Sequence, residues 1–449
     1  MLNEKFSKIG FILAMAGSAV GLGNAWKFPT MVGNNGGSAF IVLYLALTFF
    51  VAFVAFLSEL SVGRLGETDP VNSIRKLAPK HKNAWSFAGF FMIGGVLIAS
   101  FYTVVIGWIL KYVYLGFGAL NSDMAQAAAE FENLLKRDFL SAWICFSVVF
   151  FIVFYVVSKG VKSGIERLNV WMMPSLFVLL ALMLCYSFTM PEALAQAAKF
   201  LFVPDFSAVS ADAVLQALGL SFFSLSLGVC TVPTYAASLP SGTNLVKSTL
   251  SIIFINILIG LMMGLIVFTF VFAYGGDTTQ GGPGLIFISL ATLFAKLGLM
   301  GNILAVAFFT SLLFAGITSA VSMIEPFAFY LINQFKFSRK KALFCVGAVV
   351  YALGVGCILS YYEPTSGNFS VFDKPLFDVL DYLTSNILMP LAAIVFSFFT
   401  GFVLKREGLY LLFKPFLGEA GFKIWYFLLR YVTPAAIIAI MAYQISASK

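Results

Sequence analysis

The chain has 449 residues, of which 60% are hydrophobic and 11% are charged, and it carries a formal net charge of +8. A water-soluble domain is about half apolar and about one quarter charged, so the composition excludes an ordinary soluble protein and indicates an integral membrane protein. The positive charge does not require a nucleic-acid partner, because the basic residues lie mostly in short segments between apolar runs, where they set membrane topology.

Eleven apolar runs are long enough to cross the hydrocarbon layer, which takes about 20 helical residues. In chain order, the predicted spans cover residues 9–34, 39–63, 86–115, 139–158, 166–188, 213–238, 248–274, 299–334, 341–361, 378–404 and 424–446. The apolar stretch 284–297 is too short to cross, and we predict a re-entrant or capping segment on the outer side. The sequence thus predicts one all-α transmembrane domain over residues 1–449.

The distribution of basic residues predicts the orientation of the chain. If the amino terminus is cytoplasmic, most of the 28 Lys and Arg residues fall in cytoplasmic segments, as the positive-inside rule requires. With an odd number of spans, the carboxyl terminus is then expected outside the inner or plasma membrane of the cell. Lys5 and Lys8 also fit a signal peptide, but the first run continues through Asn24 and Lys27 and further spans follow it, which favours a membrane span.

The residues that usually carry metal or enzyme chemistry show no such pattern. The cysteines follow no CxxC or Cys/His spacing, which favours small buried apolar side chains, and they are Cys145, Cys185, Cys230, Cys345 and Cys357. The single histidine, His81, lies between Lys80 and Lys82, where nothing nearby orients its ring. With no HExxH and no Ser/His/Asp set, we do not expect an enzyme.

The first and sixth predicted spans differ from the others at mid-membrane. Span one contains Gly17–Asn24, with one glycine before Ser18 and two after it, and span six contains Phe222–Gly228, with two serines before a glycine. Glycine weakens a helix, and unpaired backbone groups at membrane depth are tolerated only where they face a cavity or a ligand. A helix break at this depth therefore predicts a bound polar ligand.

The partial charges and free backbone groups at such a helix break predict which ligand binds there. The amino end of a half-helix carries a partial positive charge and free N–H groups that suit an anion, while freed carbonyls and hydroxyls suit a small hard cation. A carboxylate beside sodium ions is the expected occupant, because paired interrupted helices in two matching halves mark the transport site of secondary transporters. The five-span separation predicts inverted repeats over residues 9–188 and 213–404, with one extra span over 424–446.

The alternative interpretation is that the glycines only let helices pack closely. That interpretation suits Gly94, Gly95, Gly260 and Gly264. For span one, polar Ser18 and Asn24 at bilayer depth favour a ligand.

Several motifs resemble the neurotransmitter:sodium symporter family, in particular its bacterial amino-acid members. They are Gly10–Asn24, Trp26–Pro29, Asn35–Phe40, Ser221–Gly228 and Ala315–Ser319. The resemblance implies the LeuT fold, an all-α membrane fold of two inverted five-helix repeats with discontinuous helices one and six, here with an eleventh helix. It also implies sodium-coupled import of an amino acid by alternating access.

The family resemblance implies two sodium sites built from oxygen atoms. The first would use Ala19, Asn24, Ser224 and Asn256. The second would use Gly17, Val20, Ala315, Thr318 and Ser319. The substrate carboxylate would be a further ligand of the first ion, so that ion and substrate would raise each other's affinity.

The resemblance also implies a substrate site in which backbone N–H groups and Tyr102 receive the carboxylate. The residues of this site would be Ser18, Ala19, Gly21, Leu22, Gly23, Ile98, Tyr102, Phe223, Ser224, Ser226, Val229, Ser319 and Met323. Monoamine members place an aspartate where this chain has Gly21, so an amino acid is expected in place of an amine. The wall has no buried charge, which favours a neutral hydrophobic or aromatic side chain.

The gates depart from the family pattern. On the outer side the expected pairs are Lys27 with Asp381 and Tyr102 with Phe223. Lysine lacks the bidentate geometry of arginine, so we expect a looser, water-bridged contact with Asp381.

On the cytoplasmic side Asn3, Asn333 and Ser238 occupy the positions of the family's charged lock, which predicts that this lock is missing. Either neutral hydrogen bonds replace it or inward opening is easier in this protein. The spacing Gly164-x9-Pro174 matches a span-five motif that bacterial members are thought to unwind during inward release.

Chloride and proton dependence are left open. Gly260 stands where other members have a carboxylate or a serine, and Leu220 replaces a glutamine, whereas Tyr44 and Ser224 are retained. The intramembrane acids Glu59 and Glu325 are either functional groups or hydrogen-bonded links between helices.

A ligand-sensing receptor or a channel on the same fold is the alternative function, and the intact ligand sets at both sodium sites favour transport. The long span-one motif argues against a transporter of another inverted-repeat family. The expected partners are an amino acid, sodium ions and the lipid bilayer, without nucleic acid, and the oligomeric state is left open.

Overall fold

The computed structural model describes residues 5–206, 210–275 and 282–447, and these are mostly helical. Nine helices in these ranges are long and apolar enough to cross a membrane. They are Ser38–Gly66, Lys82–Leu115, Phe139–Ser158, Val161–Ser187, Leu245–Ala273, Gly298–Phe335, Arg339–Tyr361, Leu376–Val403 and Arg406–Ala442. We refer to them as spans two to five and seven to eleven.

Spans one and six are each divided into shorter helices. Span one consists of Lys8–Ala19, Gly23–Lys27 and Phe28–Asn34, and span six consists of Ala211–Ser224 and Thr231–Ala237. With the nine long helices they give the predicted eleven crossings, and the predicted all-α fold class is confirmed.

The shorter elements lie between the spans. The helices are Pro70–Leu77, Met124–Lys136, Pro191–Phe202, Leu285–Leu290, Ala291–Ala295 and the single turn Ser366–Phe369. Strands Ser370–Val371 and Lys374–Pro375 pair antiparallel. The predicted capping segment 284–297 forms a short buried helix, whose Phe287 stacks on Phe131 at 5.0 Å between ring centroids.

The break in span six differs from the predicted Phe222–Gly228. The helix continues through Ser224, and the irregular backbone extends to Cys230. Ser226, Gly228 and Cys230 have φ values of 52°, 83° and 61°, in the left-handed region that non-glycine residues rarely adopt. Backbone strain of this kind persists only where the surrounding structure holds it.

A further helix, which the sequence did not predict, precedes the last span. It starts at Arg406 and ends at Gly418, where φ is 69°, and after this kink the helix of the last span continues through Ala447. The charged residues Glu407, Lys414 and Glu419 lower the hydropathy of this region, which explains why the sequence did not reveal the further helix.

The breaks lie at the centre of the bundle. The first half of span one packs against spans five, seven and eight, and span eight packs extensively against span three. Large apolar side chains such as Phe151, Phe254 and Phe344 project outward and are 64%, 65% and 77% exposed. Soluble proteins avoid so extensive an apolar surface, whereas a lipid-facing surface consists of such residues.

Candidate functional site

The two helix breaks are joined by a direct hydrogen bond. The hydroxyl of Ser226, in the break of span six, donates to the carbonyl oxygen of Ser18, at the break of span one, at 2.8 Å. Beside this bond lies a narrow cavity lined by Ser18, Ala19, Gly21, Gly23, Ile98, Tyr102, Phe223, Ser226, Val229, Ser319, Met323 and Met389.

Most of the predicted substrate-binding residues line this one cavity. Leu22 and Ser224 do not: Leu22 contacts Tyr102 from the outer side, and Ser224 lies in the neighbouring polar cluster. Met389, from span ten, was missed because no sequence motif surrounds it. The binding role of all these residues stays a prediction.

One end of the cavity carries hydrogen-bond donors. The backbone N–H of Leu22 donates to the Tyr102 hydroxyl oxygen at 2.9 Å, and a hydroxyl that accepts one hydrogen bond still has its own hydrogen to donate. An ideal Cβ built on Gly21 would lie 2.5 Å from the Tyr102 hydroxyl oxygen and 2.7 Å from Ser319 Oγ. Only a glycine therefore fits between these two hydroxyls, which can face an anionic group.

The residues predicted for the second sodium site lie together at the break of span one. Ser319 Oγ is 3.0 Å from the Gly17 carbonyl oxygen, 3.1 Å from that of Ser18 and 3.4 Å from that of Val20. Thr318 Oγ1 is 2.9 Å from the Phe314 carbonyl oxygen and 3.0 Å from that of Ala315. Carbonyl and hydroxyl oxygens keep free lone pairs even when they take part in one hydrogen bond, and such a group of oxygens fits a hard cation.

Three of the four residues predicted for the first sodium site form a buried polar cluster. Asn24 Nδ2 donates to the carbonyl oxygen and to Oδ1 of Asn256, both at 2.9 Å. Asn256 Nδ2 donates to Ser224 Oγ and to the Tyr44 hydroxyl, both at 3.3 Å. The Asn24 amide thus turns its nitrogen toward span seven and its oxygen away. Ala19, the fourth residue, lines the adjacent cavity.

Lys27 and Asp381, the expected outer pair, lie in one cavity without a direct ion pair between them, and their water-bridged contact stays a prediction. Both residues line an outer cavity together with Tyr102 and Phe223, but the Lys27 ammonium lies 3.6 Å from the centroid of the Phe223 ring, as a cation–π contact. Asp381 accepts a hydrogen bond from Ser385 at 2.9 Å, and the ion pairs within 4.0 Å in the described part of the chain do not include Lys27 with Asp381. Tyr102 and Phe223 line both cavities, and their role as a lid stays a prediction.

On the predicted cytoplasmic side the positions of the charged lock form other contacts, and the absence of the lock stays a prediction. Asn3 lies outside the described residues, Ser238 accepts from the Phe6 N–H at 3.0 Å, and Asn333 donates to Asp69 at 3.1 Å. The charged contact that we missed joins Glu325 to Arg339, with N–O distances of 3.1 and 2.5 Å. The turn at Lys336, with φ of 56°, brings span nine back beside span eight and supplies the arginine.

Two further acidic side chains form hydrogen bonds that hold other parts of the chain in place. Glu59 Oε1 accepts from the Gly228 N–H at 2.8 Å and so supports the break in span six. Glu166 accepts from the backbone N–H and the hydroxyl of Ser7, at 3.1 and 2.6 Å, and Ser7 caps the first helix. Glu166 lies in the π-helical start of span five, Val161–Glu166, within the predicted Gly164-x9-Pro174 motif.

Gly260 faces the first predicted sodium site but carries no side chain there. A Cβ on Gly260 would lie 3.8 Å from Asn24 Nδ2, so this position is close enough for a side chain to influence the cluster. Its effect on chloride or proton dependence stays a prediction.

Comparison with known proteins agrees with this geometry. The model of the "Sodium:neurotransmitter symporter family" matches residues 3–133 and 136–449. An uncharacterized sodium-dependent transporter of Bacillus subtilis, YhdH, is 35% identical over 441 residues, which cover 97% of this chain and 96% of the relative. An uncharacterized sodium-dependent transporter of Haemophilus influenzae is 30% identical over 453 residues, with 97% and 96% covered.

A solved structure also matches. The crystal structure of MhsT in complex with L-phenylalanine superposes with a TM-score of 0.87 at 33% identity, covering 98% of this chain and 99% of MhsT.

Proposed function

The chain belongs to the sodium:neurotransmitter symporter family and is a multi-pass, sodium-dependent symporter with the LeuT fold, and we propose that it imports a neutral hydrophobic or aromatic L-amino acid. The observation that carries this proposal is the cavity at the two helix breaks, with hydroxyls and backbone dipoles at one end and apolar side chains at the other. A zwitterion with an apolar side chain matches both ends.

The polar end supports an amino acid over an amine. The Tyr102 hydroxyl and the backbone of Gly21–Gly23 face the position of the carboxylate, and no acidic side chain lines the cavity. The ammonium group would meet the carbonyl oxygens freed at the breaks, together with the hydroxyl of Ser226.

The apolar end of the cavity determines which class of substrate side chain fits. It consists of Ile98, Val229, Met323 and Met389, and a charged substrate side chain would be desolvated there without a partner. The matching structure of MhsT contains L-phenylalanine, which supports a large apolar substrate for this chain.

Two sodium ions per substrate are part of the proposal. The Asn24 cluster would hold one ion together with the substrate carboxylate, so that each bound species raises the affinity of the other. The carbonyls around Ser319 and Thr318 would hold the second, between spans one and eight.

The proposed cycle is alternating access in the inner or plasma membrane, with a cytoplasmic amino terminus and an extracytoplasmic carboxyl terminus. The substrate enters through the outer cavity, past Tyr102 and Phe223, and the Lys27 contact with the Phe223 ring closes above it. Release requires the contacts of Glu325 and Glu166 on the opposite face to open.

Uptake into sealed vesicles tests this function. Competition by each of the twenty amino acids against labelled phenylalanine should show strongest inhibition by aromatic and large aliphatic ones, and replacement of external sodium by choline should abolish uptake. Uptake measured with gluconate in place of chloride shows whether transport depends on chloride. Uptake measured at different internal pH shows whether transport depends on protons. Sodium-dependent binding without flux would instead identify a receptor on this fold.

The glycine between the two hydroxyls gives a sharper test of the substrate position. A methyl group in Gly21→Ala lies against Tyr102 and Ser319, and because overpacking costs about 1–3 kcal/mol, we expect substrate affinity to fall by about five- to 150-fold. Gly94→Ala is the matched control, since its Cβ meets Val229 at an ordinary 3.8 Å. Equal affinities of the two variants, measured by equilibrium binding of labelled phenylalanine, would move the substrate elsewhere.

A further inference from the structure

Asn169 of span five carries a buried oxygen atom that no protein group satisfies. The side chain is fully buried, and its Nδ2 donates to the Ile165 carbonyl oxygen, one turn earlier, at 2.8 Å. Its Oδ1 has no hydrogen-bond partner.

The orientation of this amide is fixed by its chemistry. Reversing it would place Oδ1 against the Ile165 carbonyl oxygen, two acceptors facing each other, so the hydrogen-bond network assigns the nitrogen to Ile165. Among the residues that the structure describes, this is the one amide among the buried unpartnered atoms, which are otherwise hydroxyl, carboxylate and guanidinium atoms. A hydroxyl can rotate to find a partner, whereas this oxygen must be met by a donor or a cation.

Asn169 Oδ1 points at the ligands of the proposed second sodium site. An ideal Cβ on Gly17 would overlap Asn169 Oδ1 and lie 3.0 Å from Thr318 Cβ. The amide oxygen therefore lies against Gly17 on the same face that Thr318 contacts. Gly17 and Thr318 are two of the residues from which that site is built.

We propose that Asn169 Oδ1 contributes an oxygen to the second sodium site, so that span five holds the ion together with spans one and eight. This inference rests on the proposed function, because it requires the ion near Gly17 and Thr318. A hard cation binds oxygen ligands only, and it removes the cost of burying an unpaired acceptor.

Sodium binding to the purified, substrate-free protein tests the proposal. The readouts are the sodium concentration for half-maximal binding of labelled ²²Na⁺ and the sodium-induced rise in the thermal unfolding midpoint. Asn169→Leu keeps the branched shape and removes the oxygen, and we expect its half-maximal concentration to rise about tenfold, the effect of losing one interaction with a charged group. Asn169→Asp keeps an oxygen, loses the hydrogen bond to the Ile165 carbonyl and adds a negative charge that attracts a cation, so its half-maximal sodium concentration should not rise.

Two further variants show whether a change in sodium binding comes from the second sodium site or from the loss of any buried oxygen. Thr292→Val removes another buried, unpartnered oxygen outside both proposed sites and should leave sodium binding unchanged. Thr318→Val removes a ligand of the site itself, so normal sodium binding in that variant would refute the second site of the proposed function.

The pattern of results decides whether Asn169 contacts the ion. Lost binding in Thr318→Val with unchanged binding in Asn169→Leu would refute this inference alone. If Asn169 only supports the Ile165 carbonyl, Asn169→Leu lowers the unfolding midpoint but keeps the full sodium-induced rise, and the proposal is then overturned. If both Asn169 variants lose binding equally, the oxygen is not the cause and the proposal is also overturned.

Discussion

Replacement of Asn24 by alanine should abolish sodium-dependent substrate binding while the protein still inserts and folds. The Asn24 amide donates two hydrogen bonds to Asn256, and its own oxygen is a proposed ligand of the first ion. Alanine removes that ligand and leaves two buried Asn256 oxygens without these donors. Interactions with charged groups contribute about 1.5–3 kcal/mol each, so sodium affinity should fall at least about tenfold.

The loss extends from the ion to the substrate, because a substrate carboxylate that shares the ion loses the same coupling free energy. Equilibrium binding of labelled phenylalanine across a sodium titration measures both effects. Asn35→Ala is the control: it also deletes amide hydrogen bonds, to Met31 and Gln216 at 2.8 and 2.9 Å, in the outer half of span one but outside the cluster. A normal sodium titration in Asn24→Ala would show that the first ion lies elsewhere.

Replacement of Arg339 by methionine should destabilise the protein more than any other single loss of an ion pair. Glu325 is 2% exposed and Arg339 is 11% exposed in their side chains, so the variant leaves a carboxylate buried without its counter-charge. Breaking a buried pair from one side costs about 3–5 kcal/mol. The thermal unfolding midpoint in detergent should fall, and purified yield should fall with it.

A double variant and a variant in an exposed ion pair are the controls for this experiment. Arg339→Met combined with Glu325→Leu should recover most of the lost stability, because apolar groups of similar volume can replace a buried pair. Arg137→Met breaks the long-range pair with Glu363, whose side chains are 71% and 51% exposed, and should change stability by about 0–1 kcal/mol. Equal unfolding midpoints for Arg339→Met and Arg137→Met would contradict the buried contact.

The two helix breaks show how much of this structure can be predicted from residue type alone. Glycines beside Ser18 and Asn24 at bilayer depth are incompatible with a regular lipid-facing helix, and span one breaks there. In span six the same reasoning found the break but not its end, because Cys230 adopts a left-handed backbone that its side chain does not favour. The packing of the surrounding helices, not residue preference, sets that boundary.

The predicted sodium ligands came from resemblance of motifs, and the structure brings most of each set within hydrogen-bond distance. Neither sequence nor resemblance pointed to Met389, to the contact of Lys27 with the Phe223 ring, or to Asn169. Each depends on which face of one helix meets another: Ser319 lies 302 residues from Gly17 along the chain, and no local pattern encodes their approach.

The sequence by itself determined that the chain crosses the membrane about eleven times, that the first and sixth crossings are interrupted, and that no enzyme motif is present. These properties follow from local composition, because the free energy of placing a residue in lipid and its helix preference depend little on distant parts of the chain. Only the tertiary structure decided which oxygens converge, where Arg339 finds Glu325 and why Lys27 faces an aromatic ring. These contacts join residues far apart in sequence, and their geometry is fixed by the packing of whole helices.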